Sequence, residues 1–153
     1  VGLCISDPVA STSIIRAEQF KEFCLPYLKK CIARIEGGAT LHICGRSKEI
    51  WNLMVETGMT TLSLDNIEDL AEAKKSVGNR VAISGNVNPV DVIRNGSREE
   101  VVAEAKKCIK KAHDNPEGFI LSSGCQVPLG SPIENVQALM DVARSYGSYP
   151  LNI

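Results

Sequence analysis

Short apolar runs alternate with amphipathic segments along this chain of 153 residues. Five of the runs are uniformly apolar rather than alternating, which is typical of parallel strands that are buried on both faces. The predicted strands are Val1–Ser6, Ala39–Cys44, Thr60–Leu64, Arg80–Gly85 and Gly118–Ser122.

The segments between the apolar runs carry helical periodicity and helix-capping residues. Gln19–Ile35 has apolar residues at helical spacing, and Pro26 within it predicts a kink or a restart. Further helices are predicted to start at Ser47, at Asp65 or Asn66, at Asn88-Pro89, and at capping boxes formed by Ser97 with Glu100 and Ser131 with Glu134. These last two boxes precede predicted helices over Val101–Ala112 and Asn135–Tyr146.

A strict alternation of strand and helix predicts an α/β fold with a parallel sheet and right-handed crossovers. A complete eight-stranded (β/α)8 barrel takes about 250 residues, so about five βα units would form the C-terminal part of one. An open doubly wound sheet fits the strand count equally well, and the pattern leaves both architectures open. We expect residues 1–153 to form a single partial domain, and the start at Val1 without a methionine indicates a piece of a longer protein.

The composition argues against some classes of binding partner. The net charge is −1, and there is no basic block with interleaved aromatic residues, which argues against a nucleic acid partner. No apolar run approaches the roughly 18–20 residues of a membrane helix, and no signal peptide is recognisable. The six cysteines are scattered through apolar runs, which predicts a reducing cytoplasmic compartment and mostly buried thiols.

Polar residues cluster where each predicted strand gives way to its helix. They are Asp7 after the first strand, His42 and Cys44 at the second, Asp65 after the third, Asn86 and Asn88 after the fourth, and Cys125 after the fifth. In parallel α/β proteins the carboxyl ends of the strands carry the ligand site. Helix capping is the competing explanation for Asp65, Asn66 and Asn88.

His42 and Cys44 are separated by one residue, so on a strand their side chains point to the same side. With Cys125 they offer one imidazole and two thiols, the ligands of catalytic zinc sites that keep a fourth position open. The alternative is a buried histidine and inert thiols in a core strand.

A set of short stretches, in order along nearly the whole chain, points to a known family. They are Asp7-Pro8-Val9-Ala10-Ser11, Phe20-Lys21-Glu22-Phe23, Leu25-Pro26-Tyr27, Leu41-His42-Ile43-Cys44-Gly45, Ser63-Leu64-Asp65, Gly85-Asn86-Val87-Asn88-Pro89, Ser122-Ser123-Gly124-Cys125 and Pro132-x-Glu134-Asn135. In these stretches the chain resembles the C-terminal part of the uroporphyrinogen decarboxylase superfamily, and more closely its methylcobamide:coenzyme M methyltransferase branch.

This resemblance implies the barrel rather than the open sheet. It also implies an enzyme that uses zinc and moves a methyl group from a methylated corrinoid (cobalamin) protein to a small thiol such as coenzyme M. The zinc ligands of that branch map onto His42, Cys44 and Cys125. Decarboxylases of the superfamily lack the His-x-Cys pair and carry Gly-His where this chain has Gly124-Cys125.

Further roles are expected for the other residues at the strand ends. Asp7, Asp65 and Asn86 are the catalytic candidates, while Arg46 and Asn88 are the candidates for binding the substrate or cofactor. Arg46 stands beside the zinc motif and could hold an acidic tail on a thiol, although it could equally be a solvated residue at a helix start.

Two other functions stay open: a tetrapyrrole decarboxylase without metal, and a corrinoid-binding module without catalytic activity. Whichever function applies, a partial barrel would leave the first and last predicted strands as exposed edges. We therefore expect self-association through those edges, and no activity of this chain alone.

Overall fold

The computed structural model describes residues 2–148 and residue 151. Within these residues, five parallel strands form one sheet in which each strand pairs with the next one along the chain. The strands are β1 (Leu3–Ser6), β2 (Ala39–Ile43), β3 (Thr61–Leu64), β4 (Ala82–Val87) and β5 (Phe119–Ser123). Val1, the start of the predicted first strand, lies outside the described residues.

The strand order decides between the two architectures that the sequence pattern left open. A doubly wound sheet reverses its strand order at a switch point, whereas this sheet runs from β1 to β5 without reversal. The chain is therefore wound in one direction, as in a (β/α)8 barrel. β1 and β5 lie at the edges of the sheet, as expected.

In the described part of the chain, six α-helices accompany the sheet: α1 (Ala17–Gln19), α2 (Leu25–Ile32), α3 (Trp51–Val55), α4 (Leu70–Val77), α5 (Arg98–Ala112) and α6 (Ile133–Ser145). Pro26 lies in the first turn of α2, after a π-helical segment, so the helix restarts there as predicted. Among the described residues, no helix combines the length and the apolar character needed to cross a membrane.

The helix caps confirm part of the predicted pattern. Ser97 and Glu100 form a capping box at the start of α5, and Asn88 caps the π-helical segment Pro89–Arg94. The helix predicted over Leu70–Val77 is confirmed as α4, but its predicted cap was wrong. The cap is Asp69, whose carboxylate accepts hydrogen bonds from the peptide N–H groups of residues 71 and 72. Asp65 lies four residues too early, since a turn separates β3 from α4.

The start of α6 also differs from the prediction. The helix begins after Pro132 without a side-chain cap. The hydroxyl of Ser131 donates instead to the carbonyl of Pro128 at 2.8 Å. The sequence pattern of a capping box is therefore present at this point, but the turn that precedes the helix uses the serine.

The two faces of the sheet differ in chemistry, contrary to the prediction of strands buried on both faces. The outward side chains are apolar and wholly buried beneath the helices: Leu41, Ile43, Leu62, Leu64 and Ile83. A row of mostly small polar residues lies on the other face, where Ser6, His42, Ser63 and Ser84 are neighbours across four strands. This inner face is the barrel interior, and its polar row leads to the strand ends where the candidate site lies.

The cysteines are more exposed than expected. Only Cys108 is buried, whereas Cys4 and Cys31 are exposed and the other three are half-buried. All six are free thiols in this structure, and the reducing compartment stays a prediction. A role as a buried apolar residue therefore fits Cys108 alone among the six cysteines. The positions of Cys44 and Cys125 need another explanation.

Candidate metal centre

The fold brings together the three residues that the sequence singled out as metal ligands. His42 lies in β2, Cys44 directly follows that strand, and Cys125 follows β5. The ring nitrogen Nε2 of His42 is 3.2 Å from Sγ of Cys44, which is 3.4 Å from Sγ of Cys125. The three ligand atoms lie within 4.8 Å of one another.

These separations fit a zinc ion. With Zn–S bonds of about 2.3 Å and Zn–N bonds of about 2.0–2.1 Å, tetrahedral ligand atoms stand about 3.5–3.8 Å apart. The separations around Cys44 are within a few tenths of an ångström of that range. A donor set of one imidazole and two thiolates is also one that zinc accepts. Three protein ligands leave a fourth tetrahedral position for an external ligand.

The thiol of Cys44 holds its proton in the absence of a metal. Burial, the hydrogen bond with Cys125 and the negative charge of Asp65 raise the pKa of Cys44 from 9.0 to about 11. A thiol must lose its proton to ligate zinc, so metal binding here displaces protons and is favoured by higher pH. The fold therefore brings the three ligand residues together, and Cys44 must lose its proton when a cation binds.

Two carboxylates hold the loop that carries Cys44. Asp65 accepts a hydrogen bond from the peptide N–H of Gly45 at 2.8 Å. Glu68 accepts from the peptide N–H groups of Ser47 at 2.5 Å and Lys48 at 3.1 Å. The loop after β3 thereby fixes the loop after β2. Asp65 acts here on the backbone next to a ligand, which is a positioning contact.

Asn86 holds the backbone of the two residues that carry these carboxylates. Its buried amide donates to the carbonyl oxygens of Asp65 at 2.9 Å and Glu68 at 2.7 Å. The amide oxygen faces the thiol of Cys108 at 3.7 Å, and burial raises the pKa of that thiol. Asn86 therefore ties β4 to the loop after β3, and through it to Cys44.

The loop after β1 holds the other side of the Cys44 loop. The hydroxyls of Ser11 and Thr12 donate to the carbonyl oxygen of Arg46 at 3.0 and 2.8 Å. The hydroxyl of Ser13 accepts from the peptide N–H of Arg46 at 3.1 Å. The guanidinium of Arg46 is left exposed, and with Lys48 it lines a cavity of about 390 Å³ at the strand ends.

A close approach at Gly124 places Cys125. A Cβ atom on Gly124 would lie 2.4 Å from the peptide nitrogen of Asn66 and 2.8 Å from its Cα. Only glycine allows the loop after β5 to pack this tightly on the loop after β3. Since Cys125 is the next residue, this contact contributes to the position of the second thiol.

Asp7 and Asn88 take other positions at the strand ends. Asp7 is half-buried, and its peptide N–H donates to the carbonyl of His42 at 3.0 Å. The amide oxygen of Asn88 accepts from the peptide N–H groups of residues 90 and 91, as a helix cap does. Roles for these two side chains in catalysis or cofactor binding stay predictions.

Sequence reasoning missed the residues that support the site. Glu68 and the hydroxyl side chains of Ser11, Thr12 and Ser13 contact backbone atoms of a distant loop, and no spacing rule marks them. The one available signal was the run of short polar residues directly after the first strand, which is typical of side chains that bond to backbone.

The strand order and the ligand cluster together define part of an α/β barrel with a candidate metal site at the carboxyl ends of its strands. A family model described as uroporphyrinogen decarboxylase (URO-D) matches residues 2–146, and the chain belongs to this family.

Its relatives include two kinds of enzyme. The methylcobamide:CoM methyltransferase MtbA of Methanosarcina acetivorans is 33% identical over 147 residues, which are 94% of this chain and 42% of that protein. A uroporphyrinogen decarboxylase of Hordeum vulgare is 32% identical over 130 residues, which are 82% of this chain and 38% of that protein.

A solved structure has the same fold. The methyltransferase from Methanosarcina mazei superimposes with a TM-score of 0.86 at 28% identity, covering 96% of this chain and 42% of that one. This chain therefore spans less than half the length of the relatives it matches, and the fold confirms the expected C-terminal part of a barrel.

Proposed function

We propose that this chain carries the zinc site of a methyltransferase that moves a methyl group from a methylated corrinoid protein to a thiol such as coenzyme M. The observation that carries the proposal is the cluster of His42, Cys44 and Cys125 at the strand ends. The names of relatives such as the methylcobamide:CoM methyltransferase from Methanosarcina acetivorans support it.

His42, Cys44 and Cys125 would hold the metal. Zinc bound there would supply a Lewis acid that keeps a substrate thiol in its thiolate form at neutral pH. In the overall reaction the substrate sulfur forms a bond to the methyl carbon and the carbon–cobalt bond breaks. The electron pair of that bond stays on the corrinoid, which leaves in its cobalt(I) form.

The chain's own residues would set the geometry of this reaction. Asp65, Glu68 and Asn86 fix the loop that carries Cys44, so we assign them positioning roles. The exposed guanidinium of Arg46 borders the cavity at the strand ends, where it would bind an acidic group on the thiol. Asp7 is the remaining catalytic candidate, next to β2.

A tetrapyrrole decarboxylase is the second candidate, because relatives such as the Hordeum vulgare protein carry that name. Such an enzyme needs cationic residues for the many carboxylates of its substrate. The described residues that line the cavity with His42 and Cys125 carry no cationic side chain: they are Cys4, Ser6, Ser63, Ser122, Ser123 and Gln126. This lining favours the methyltransferase.

X-ray absorption at the zinc edge tests the proposal. We expect one nitrogen and two sulfur ligands in the zinc-loaded chain, with a third sulfur after addition of coenzyme M. Cys125→Ser should lose one sulfur in both spectra. A sulfur count that stays at two under saturating thiol would contradict a thiol-binding site, and a folded chain without zinc would favour the decarboxylase.

A further inference from the structure

A hydroxyl group faces the back of the histidine in the ligand cluster. Ser63 lies in β3 directly opposite His42 in the β2–β3 register, and its Oγ is 3.1 Å from Nδ1 of His42. The other ring nitrogen, Nε2, points at Sγ of Cys44 at 3.2 Å. The imidazole of His42 is buried, so its two nitrogens have separate and fixed neighbours.

We propose that Ser63 is a positioning residue that selects the tautomer of His42. This inference rests on the proposed function, in which Nε2, the ring nitrogen that contacts Sγ of Cys44, ligates the metal. For Nε2 to give its lone pair to a metal, the ring proton must be on Nδ1, and that N–H must donate to the Ser63 hydroxyl. Such a partner behind a ligating histidine fixes both the ring orientation and the tautomer.

The sheet explains why Ser63 has this role and Ser84 does not. Ser84 is the next residue in the same row, on the far side of Ser63 from His42. Both side chains are small hydroxyls on the inner face, and they differ in whether they contact the imidazole. Ser84 is therefore a matched control for the loss of a hydroxyl at this depth of the barrel.

Zinc affinity measured by competition with a chromogenic chelator gives the first test. Ser63→Ala should weaken zinc binding by about 10–100-fold, the range found when partners behind metal ligands are removed. Ser63→Thr keeps the hydroxyl and should restore affinity, while Ser84→Ala should leave it unchanged. Equal affinities for Ser63→Ala and Ser84→Ala would overturn the proposal.

The second test works without metal, and it separates the role of Ser63 from the proposed zinc function. Nitrogen-15 NMR of metal-free protein reports which ring nitrogen of His42 carries the proton. We expect the Nδ1–H tautomer in the wild type and a shift toward Nε2–H, the form that neutral imidazole prefers in water, in Ser63→Ala. A wild type that binds no zinc would refute the proposed function only. The same tautomer in both proteins would overturn the role of Ser63.

Discussion

Replacing Glu68 removes a carboxylate that holds the loop after β2. One carboxylate oxygen of this residue accepts from two successive peptide N–H groups, those of Ser47 and Lys48. Ser47 is 1% exposed, so water cannot replace the lost acceptor at its N–H. Lys48 is exposed, and water can solvate its N–H after the substitution.

The expected loss of stability follows from the environments of these two peptide N–H groups. A buried donor left without a partner costs about 1–3 kcal/mol, and the solvated donor adds little. We therefore expect Glu68→Ala to lower the free energy of unfolding by about 2 kcal/mol. For a chain of this size, 1 kcal/mol corresponds to about 2–4 °C in Tm, so Tm should fall by about 4–8 °C.

Thermal unfolding followed by circular dichroism measures this effect. Glu72→Ala is the matched control, because that side chain is 56% exposed and its carboxylate pairs with the exposed Lys48 side chain at 2.7 Å. An exposed ion pair contributes about 0.2–1 kcal/mol, so the control should change Tm by a few degrees at most. The reasoning is wrong if both variants unfold at the same temperature.

Three further predictions concern the site, the stability and the edges. Gly124→Ala should weaken zinc binding in the chelator assay, because its Cβ would force Asn66 away; affinity equal to wild type would contradict this. The hydrogen bond from Lys111 lowers the pKa of Asp69 below 3.8, so this pair stabilises the chain above that pH, and the stability is lost as pH falls through the folded-state pKa. Asp69→Asn, which keeps the cap, should cost about 0.2–1 kcal/mol in urea unfolding at pH 7 and much less at pH 3; an equal cost at both would refute the assignment. Sedimentation should show self-association through β1 and β5, and a monodisperse monomer would count against it.

The candidate ligands could be predicted because a simple rule governs them. Parallel strands in a wound sheet end at the same edge, so His42, Cys44 and Cys125 had to approach one another once their strands were identified. The distance of 81 positions between the two cysteines was no obstacle for the same reason. The pattern of strand and helix also predicted the parallel sheet, although the choice of barrel came from the family resemblance.

The supporting residues could not be predicted because their partners lie in other strands and loops. Glu68 and Ser63 are ordinary polar residues in the sequence, and their contacts depend on how β2 and β3 are aligned. The cap of α4 was misplaced because the turn after β3 is longer than expected. The inner face was misjudged because small polar residues within the strands were treated as part of uniformly apolar runs.

Zinc content per chain tests the central claim most directly. Elemental analysis should find one zinc ion per chain in wild-type protein purified in the presence of the metal, as expected for a set of three protein ligands. Cys44→Ala and Cys125→Ala should each lose it while staying folded. A folded wild-type chain that binds no zinc when the metal is offered would contradict the proposed zinc site. It would indicate that Cys44 and Cys125 have a structural role.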